Sequence, residues 1–270
     1  MNTATSFTSP ATSIDNFIDW IDEVSYNFDP KQINSKVNGY PITVIQSHYD
    51  DAALSIIGTV LQCCTRLKVH TTHSISEQIK LRQAEDRHIQ DLVKMSTSHD
   101  SIRECTGFHS FKRTSTDDKI VLGPSAIGRN KDHLATSKLA ESEGALAFWE
   151  DVAFWGIYSL STDDRMHFSM QRNQWLEDKV LLAIPIDTVI DSKIWLLNQY
   201  PSQSTEVWRP IRHAWTAARE SGSNALFVER LFIKKDNLQK ILTIMNLEIY
   251  RSQTLVYGNK SISVNCVKWM

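Results

Sequence analysis

Residues 42–61 read ITVIQSHYDDAALSIIGTVL and join two secondary-structure patterns through a short polar cluster. The β-branched run at 42–45 predicts a strand, and apolar residues at helical spacing from Leu54 to Leu61 predict a helix. The cluster His-Tyr-Asp-Asp at 48–51 lies between them. One imidazole and two carboxylates are therefore expected where a strand turns into a helix. In open α/β sheets, ligands bind beyond the carboxyl ends of strands.

The side chains of this turn suggest a metal, with a simpler alternative. Histidine and aspartate are common ligands of divalent metals, and a second aspartate beside them can act as a base. In the simpler interpretation, Asp50 or Asp51 caps the helix, since Asp is favoured at that position, and His48 is a hydrogen-bonded surface residue.

The order of predicted elements indicates the fold class. The remaining helices are predicted at 14–28, 74–95, 132–141, 187–199, 206–220 and 236–245, and the remaining strands at 67–72, 120–122, 145–149, 181–186, 225–233, 247–257 and 261–268. Strands that alternate with helices favour a single Rossmann-like α/β domain with a mostly parallel sheet flanked by helices. We expect a flexible tail at 1–12, a main domain at 13–235, and an extension at 236–270, in which a helix and a β-hairpin pack on the same domain.

Composition narrows the function classes. The net charge of −2 and a pI near 6.5 give no reason to expect a nucleic-acid partner. No apolar stretch reaches the ~18 residues of a membrane span, and the Ser/Thr-rich start is unlike a secretory signal. The four cysteines lack metal-like spacing, which favours buried free thiols in a cytoplasmic protein. The oligomeric state stays open.

A second polar cluster lies downstream. The segment 128–133, Gly-Arg-Asn-Lys-Asp-His, spans the end of a loop and the start of a predicted helix. His133 can supply a third ligand beside His48 and Asp51. Two histidines and one carboxylate around an open position are typical of catalytic Zn²⁺ sites, and non-haem Fe²⁺ enzymes use the same set.

These motifs resemble the LmbE-like, or PIG-L, family of metal-dependent de-N-acetylases. The family's first motif, His-Pro-Asp-Asp-Glu, corresponds to His-Tyr-Asp-Asp-Ala at 48–52, and one sub-branch has Ala in the last position. Its second motif, His-x-Asp-His, corresponds to Asn-Lys-Asp-His at 130–133. Weaker landmarks occur in the family's order at 82–85, 149–154, 193, 200–203 and 229–230.

The resemblance implies roles for individual residues. It implies three ligands of Zn²⁺, with Fe²⁺ as an alternative: His48, Asp51 and His133. It implies that Asp50 is the general base and that Arg82 binds substrate, although Arg82 could equally be a solvated charge on a helix. Glu85 is expected to orient Arg82 or to be a surface acid.

One departure from the family affects the expected chemistry. Asn130 occupies the position of the family's auxiliary histidine; it can donate to an oxyanion but cannot carry a proton. Asp132 is then expected to assist catalysis or only to cap its helix, and His70 or His73 could replace the missing group.

The resemblance implies a zinc-dependent hydrolase that removes an acetyl group from a small N-acetylated, amino-sugar-like substrate. Two alternatives remain open: a related hydrolase of another amide, and a metal-binding protein without turnover.

Overall fold

The structure is a computed structural model. It describes residues 14–30, 33, 40–48, 50–72, 84–85, 87–89, 91–92, 120–125, 131–151, 175–202, 207–257 and 260–270. The predicted tail at 1–12, Arg82, Asn130, His73 and the predicted start of the helix at 74–95 lie outside these residues. The described residues between 84 and 92 are helical, as predicted.

The described chain forms one sheet of eight strands with helices around it. The helices are α1 (Ile14–Asn27), α2 (Asp51–Cys63), α3 (Lys131–Ser142), α4 (Ile190–Leu197), α5 (Trp208–Glu220) and α6 (Leu238–Met245). The strands are β1 (Tyr40–Gln46), β2 (Cys64–Thr71), β3 (Ile120–Pro124), β4 (Ala147–Trp149), β5 (Lys179–Pro185), β6 (Val228–Lys234), β7 (Leu247–Tyr257) and β8 (Lys260–Trp269). Their order in the sheet is β2-β1-β3-β4-β6-β5-β8-β7.

The mixed α/β class is confirmed, whereas a mostly parallel sheet is correct for only part of the molecule. Strand β1 is parallel to β2 and β3, β3 is parallel to β4, and β5 is parallel to β8. Strand β6 is antiparallel to both of its neighbours, and β7 and β8 form an antiparallel hairpin. A parallel return usually uses one crossover helix. Two helices, α4 and α5, separate β5 from β6, so β6 begins at the edge where β5 ends.

Each face of the sheet is covered by its own hydrophobic cluster. Along β5, Val180, Leu182 and Ile184 belong to one cluster, whereas Leu181 and Ala183 belong to the other. This alternation follows from the two-residue period of a strand. Helix α2 packs in the first cluster and α3 in the second.

The two helices therefore cover opposite faces, although they follow the neighbouring strands β1 and β3. A change of face between adjacent parallel strands leaves a crevice at their carboxyl ends.

The junction between α2 and β2 differs from the prediction. Cys64 directly follows the last residue of α2 with extended backbone angles, so the strand begins there rather than at residue 67. Cys63, Cys64 and Cys266 are buried free thiols, as expected, whereas Cys105 lies outside the described residues. None of the helices in the described part of the chain has the length and apolar character needed to cross a bilayer.

Candidate metal centre

Three predicted ligands meet at the crevice between β1 and β3. His48 lies two residues beyond the end of β1, and Asp51 is the first residue of α2. His133 is the third residue of α3, which packs against β1 and β3. One potential ligand atom from each residue lies within 4.8 Å of the others, so this group could hold a metal ion. The convergence joins residues that are 85 positions apart in the chain.

The distances between the ligand atoms fit a small divalent cation. His48 Nδ1 lies 3.1 Å from His133 Nε2. Asp51 Oδ2 lies 3.5 Å from each of these nitrogens. A tetrahedral site with zinc–ligand bonds of about 2.0–2.1 Å places its ligand atoms about 3.3 Å apart. The three ligand atoms are therefore spaced as three of the four ligands of such a site would be.

The other nitrogen of each imidazole contacts a carboxylate. His48 Nε2 lies 3.4 Å from Asp132 Oδ2, and His133 Nδ1 makes a short hydrogen bond with Asp151 Oδ2. A neutral imidazole carries one ring proton. If that proton lies toward the carboxylate in both residues, His48 Nδ1 and His133 Nε2 turn lone pairs toward Asp51. Three acceptors at these distances repel one another unless a cation or a shared proton lies between them.

The negative charges around the imidazoles change their pKa values. A hydrogen bond to Asp51 raises the pKa of His48 and outweighs the opposing effect of burial. Burial lowers the pKa of His133, but the hydrogen bond to Asp151 and the charge of Asp51 outweigh it and raise the pKa to about 9. Burial raises the pKa of Asp51, but its contacts with His48 and His133 outweigh this effect and lower it. The surroundings thus favour positive charge at this position.

The two neighbouring aspartates at the start of α2 have different surroundings. Asp51 Oδ2 accepts a hydrogen bond of 2.8 Å from the backbone N–H of His48, which fixes the carboxylate beside the imidazole. Asp50 is the N-cap residue, but its carboxylate makes no capping hydrogen bond. Asp50 is nevertheless buried. A capping role therefore does not explain the Asp50 side chain.

The structure bears on two expectations about acidic residues. Asp132 lies in the first turn of α3, and its carboxylate reaches His48, which a role in capping alone does not explain. Glu85 is buried rather than a surface acid, and it accepts hydrogen bonds from the backbone N–H and the hydroxyl of Ser202. Glu85 and Ser202 lie 117 positions apart, so the sequence alone did not show that they would pair.

The contact between Asp151 and His133 was not predicted as part of the site. Asp151 appeared in the sequence only as one position of a family landmark. It follows β4 by two residues, and β4 lies next to β3 in the sheet. An acidic residue just beyond a buried strand beside the site was the signal that could have identified it. Of the two candidate replacement histidines, His70 is buried on β2, and His73 lies outside the described residues.

Other landmark residues form two buried ionic clusters. Lys193 Nζ lies 2.6 Å from Glu229 Oε1 and donates to the Leu54 carbonyl, while Glu229 accepts hydrogen bonds from Gly58 and Thr59 N–H. A Cβ on Gly58 would lie 3.0 Å from Glu229 Oε1, so glycine permits this approach. We call this group the Lys193 cluster. It ties α2, whose first residue is Asp51, to α4 and β6.

The second cluster surrounds Glu150. Arg230 contacts this carboxylate through Nε and a terminal nitrogen at 2.6 and 2.8 Å, and His213 Nε2 lies 2.9 Å from it. Burial raises the pKa of Glu150, but Arg230 and His213 outweigh this effect and hold it well below its ordinary value. We call this group the Glu150 cluster, and it lies directly beside Asp151 in the chain.

No protein-family model, curated protein or solved structure matches this chain. The class of the site, a His-Asp-His group able to hold a metal ion, with Asp51 and His133 buried and His48 partly exposed, therefore rests on its own geometry.

Proposed function

We propose that this chain is a metal-dependent amidohydrolase that removes an acetyl group from a small N-acetylated, amino-sugar-like molecule in the cytoplasm. The observation that supports it most strongly is the convergence of His48 Nδ1, Asp51 Oδ2 and His133 Nε2 at spacings suited to Zn²⁺. Fe²⁺ is the alternative metal, because the same ligand set serves both. The acetyl-sugar substrate is proposed from the motif resemblance.

The residues around the centre divide the work of amide hydrolysis. A divalent cation held by these residues would act as a Lewis acid on the amide carbonyl. Asp50, adjacent in sequence to the ligand Asp51, accepts the proton of the attacking water and later passes a proton to the leaving nitrogen. Water oxygen joins the acetyl carbon as the carbon–nitrogen bond breaks, giving acetate and a free amine.

Two residues outside the described part of the chain complete the proposal. The Asn130 side-chain amide donates a hydrogen bond to the oxyanion that develops on the substrate carbonyl, which the family's histidine would otherwise stabilise. Arg82 binds a polar group of the substrate.

The direct test is acetate release from a panel of N-acetylated sugars by the zinc-loaded protein. We expect acetate and amine in equal amounts from at least one substrate. Asp50→Asn keeps the size of the side chain and removes the base, so turnover should fall by ~100-fold or more while zinc stays bound. Equal turnover by this variant at equal zinc occupancy would contradict the assignment of the base.

Asn130 also favours a second candidate, a metal-binding protein without turnover. An amide cannot transfer a proton as the family's histidine can. Zinc binding without hydrolysis of any amide in the panel would support this candidate, and hydrolysis of amides other than acetyl sugars would support a related hydrolase. The Asn130→Ala variant tests whether Asn130 takes part in turnover. If its side chain donates to the oxyanion, turnover should fall ~10²-fold; if the site has lost this function, turnover should not change.

A further inference from the structure

Each histidine of the centre has one nitrogen toward the other ligands and its second nitrogen against a carboxylate. His133 Nδ1 is hydrogen-bonded to Asp151, and His48 Nε2 faces Asp132. The paired carboxylates come from different elements, because Asp151 follows β4 and Asp132 lies on α3. Two independent segments of the chain thus provide the same arrangement.

This arrangement sets which ring nitrogen carries the proton. A carboxylate accepts hydrogen bonds, so it favours the tautomer with the proton on the nitrogen that faces it. The opposite nitrogen then keeps its lone pair, which is the form needed to bind a metal. In metalloproteins, a hydrogen bond from the outer nitrogen of a histidine ligand fixes the ring and raises its basicity.

We propose that Asp132 and Asp151 are positioning residues, which hold His48 and His133 in the tautomers and orientations that bind the metal. This inference rests on the proposed metal site. It also gives Asp132 a role that does not require the histidine replaced by Asn130, because its carboxylate acts on His48 instead.

The two positioning residues should differ in strength. Asp151 and His133 are both almost fully buried, with side chains 1 % and 2 % exposed. Asp132 and His48 are 32 % and 31 % exposed. Water competes with the second contact and screens it. Asp151 should therefore contribute more to metal affinity than Asp132.

The experiment measures the zinc dissociation constant by competition with a chelator for the full chain and four variants. Asp151→Asn should weaken zinc binding 10–100-fold, and Asp132→Asn should weaken it by up to about 10-fold. Glu150→Gln is the matched buried control, because it removes the neighbouring carboxylate of the Glu150 cluster. Asp191→Asn is the matched exposed control, because Asp191 lies in the first turn of α4 as Asp132 lies in that of α3. Both controls should bind zinc as tightly as the natural chain.

A second readout separates positioning from general loss of structure. Nitrogen-15 NMR of the zinc-loaded chain should show the proton of His133 on Nδ1 and that of His48 on Nε2. In Asp151→Asn, the Nδ1 proton should exchange faster with water. If Asp151→Asn does not fold, as judged by circular dichroism, the partly exposed Asp132→Asn tests the same point on His48.

Unchanged zinc affinity in folded Asp151→Asn and Asp132→Asn, or the opposite tautomers in the zinc-loaded chain, would overturn the positioning role but not the proposed metal site. A natural chain that binds no zinc would overturn both the positioning role and the metal site.

Discussion

Buried carboxylates occur in two kinds of surroundings in this molecule. In the Lys193 and Glu150 clusters, the carboxylates are paired with Lys193 and Arg230, and Glu150 also contacts the imidazole of His213. In the candidate metal centre, the carboxylates of Asp51, Asp132 and Asp151 contact two imidazoles, and of the three only Asp132 is partly exposed. An imidazole nitrogen without its proton can bind a metal ion, whereas a guanidinium keeps its protons and cannot. A buried carboxylate that is paired with a lysine or an arginine is already neutralised and supports the fold, whereas carboxylates grouped around two imidazoles can share a metal ion with them.

Loss of the lysine from the Lys193 cluster is expected to have the largest effect on stability. Lys193→Met leaves the Glu229 carboxylate buried without its cation, and breaking such a pair from one side costs about 3–5 kcal/mol. The free energy of unfolding in urea, measured with a chelator present, checks this value. Lys268→Met is the matched control, because it breaks a surface pair whose side chains are more than half exposed and should cost about 0–1 kcal/mol. An equal decrease in the free energy of unfolding of the two variants would show that the Lys193 cluster does not support the fold more than a surface pair does.

An intermediate effect is expected from zinc itself. A ligand that binds only the folded chain stabilises it by about 2.7 kcal/mol at a free concentration of 100 times its dissociation constant. The natural chain and Lys193→Met should show the same gain, because the Lys193 cluster does not supply ligands. His48→Ala should show none, and its half-exposed position makes the fold tolerant of the change. Thermal unfolding with and without zinc measures the gain in stability. If zinc also stabilised His48→Ala, His48 would not be a ligand of the ion.

The smallest effect concerns the pH dependence of the Glu150 cluster. The folded pKa of Glu150 lies well below its ordinary value of 4.5, so its contribution to stability is present above pH 4.5 and is lost as pH falls. Between pH 7 and pH 4 this one group should account for a loss of about 0.8 kcal/mol. Unfolding free energies of the natural chain and Glu150→Gln at both pH values measure the difference. Parallel pH profiles would show that Glu150 titrates alike in the folded and unfolded chains.

The sequence predicted those features of the fold and of the candidate site that depend on local pattern. The turn at 48–51 showed a strand, a helix and their polar junction together, and the contact between His48 and Asp51 is local in the chain. The direction of β6 was not predicted, although the two helices that precede it were: together they return the chain to the edge where β5 ends, so β6 runs antiparallel to β5.

The same limit applied within the site. His133 could be proposed because it opens a helix after a polar loop, a pattern visible in the sequence. The contacts of its partner Asp151 and of Asp132 with the imidazoles depend on the order of strands β1, β3 and β4 in the sheet. Spacing along the chain does not contain that order.

The existence of the metal centre is tested by the zinc content of the purified chain after equilibrium dialysis, compared with that of His133→Ala. Three protein ligands are the minimum of a catalytic zinc site, so removing one should abolish stoichiometric binding. We predict one zinc ion per natural chain and none in His133→Ala. Full zinc occupancy in His133→Ala, or no zinc in the natural chain, would contradict the assignment of His48, Asp51 and His133 as a metal centre.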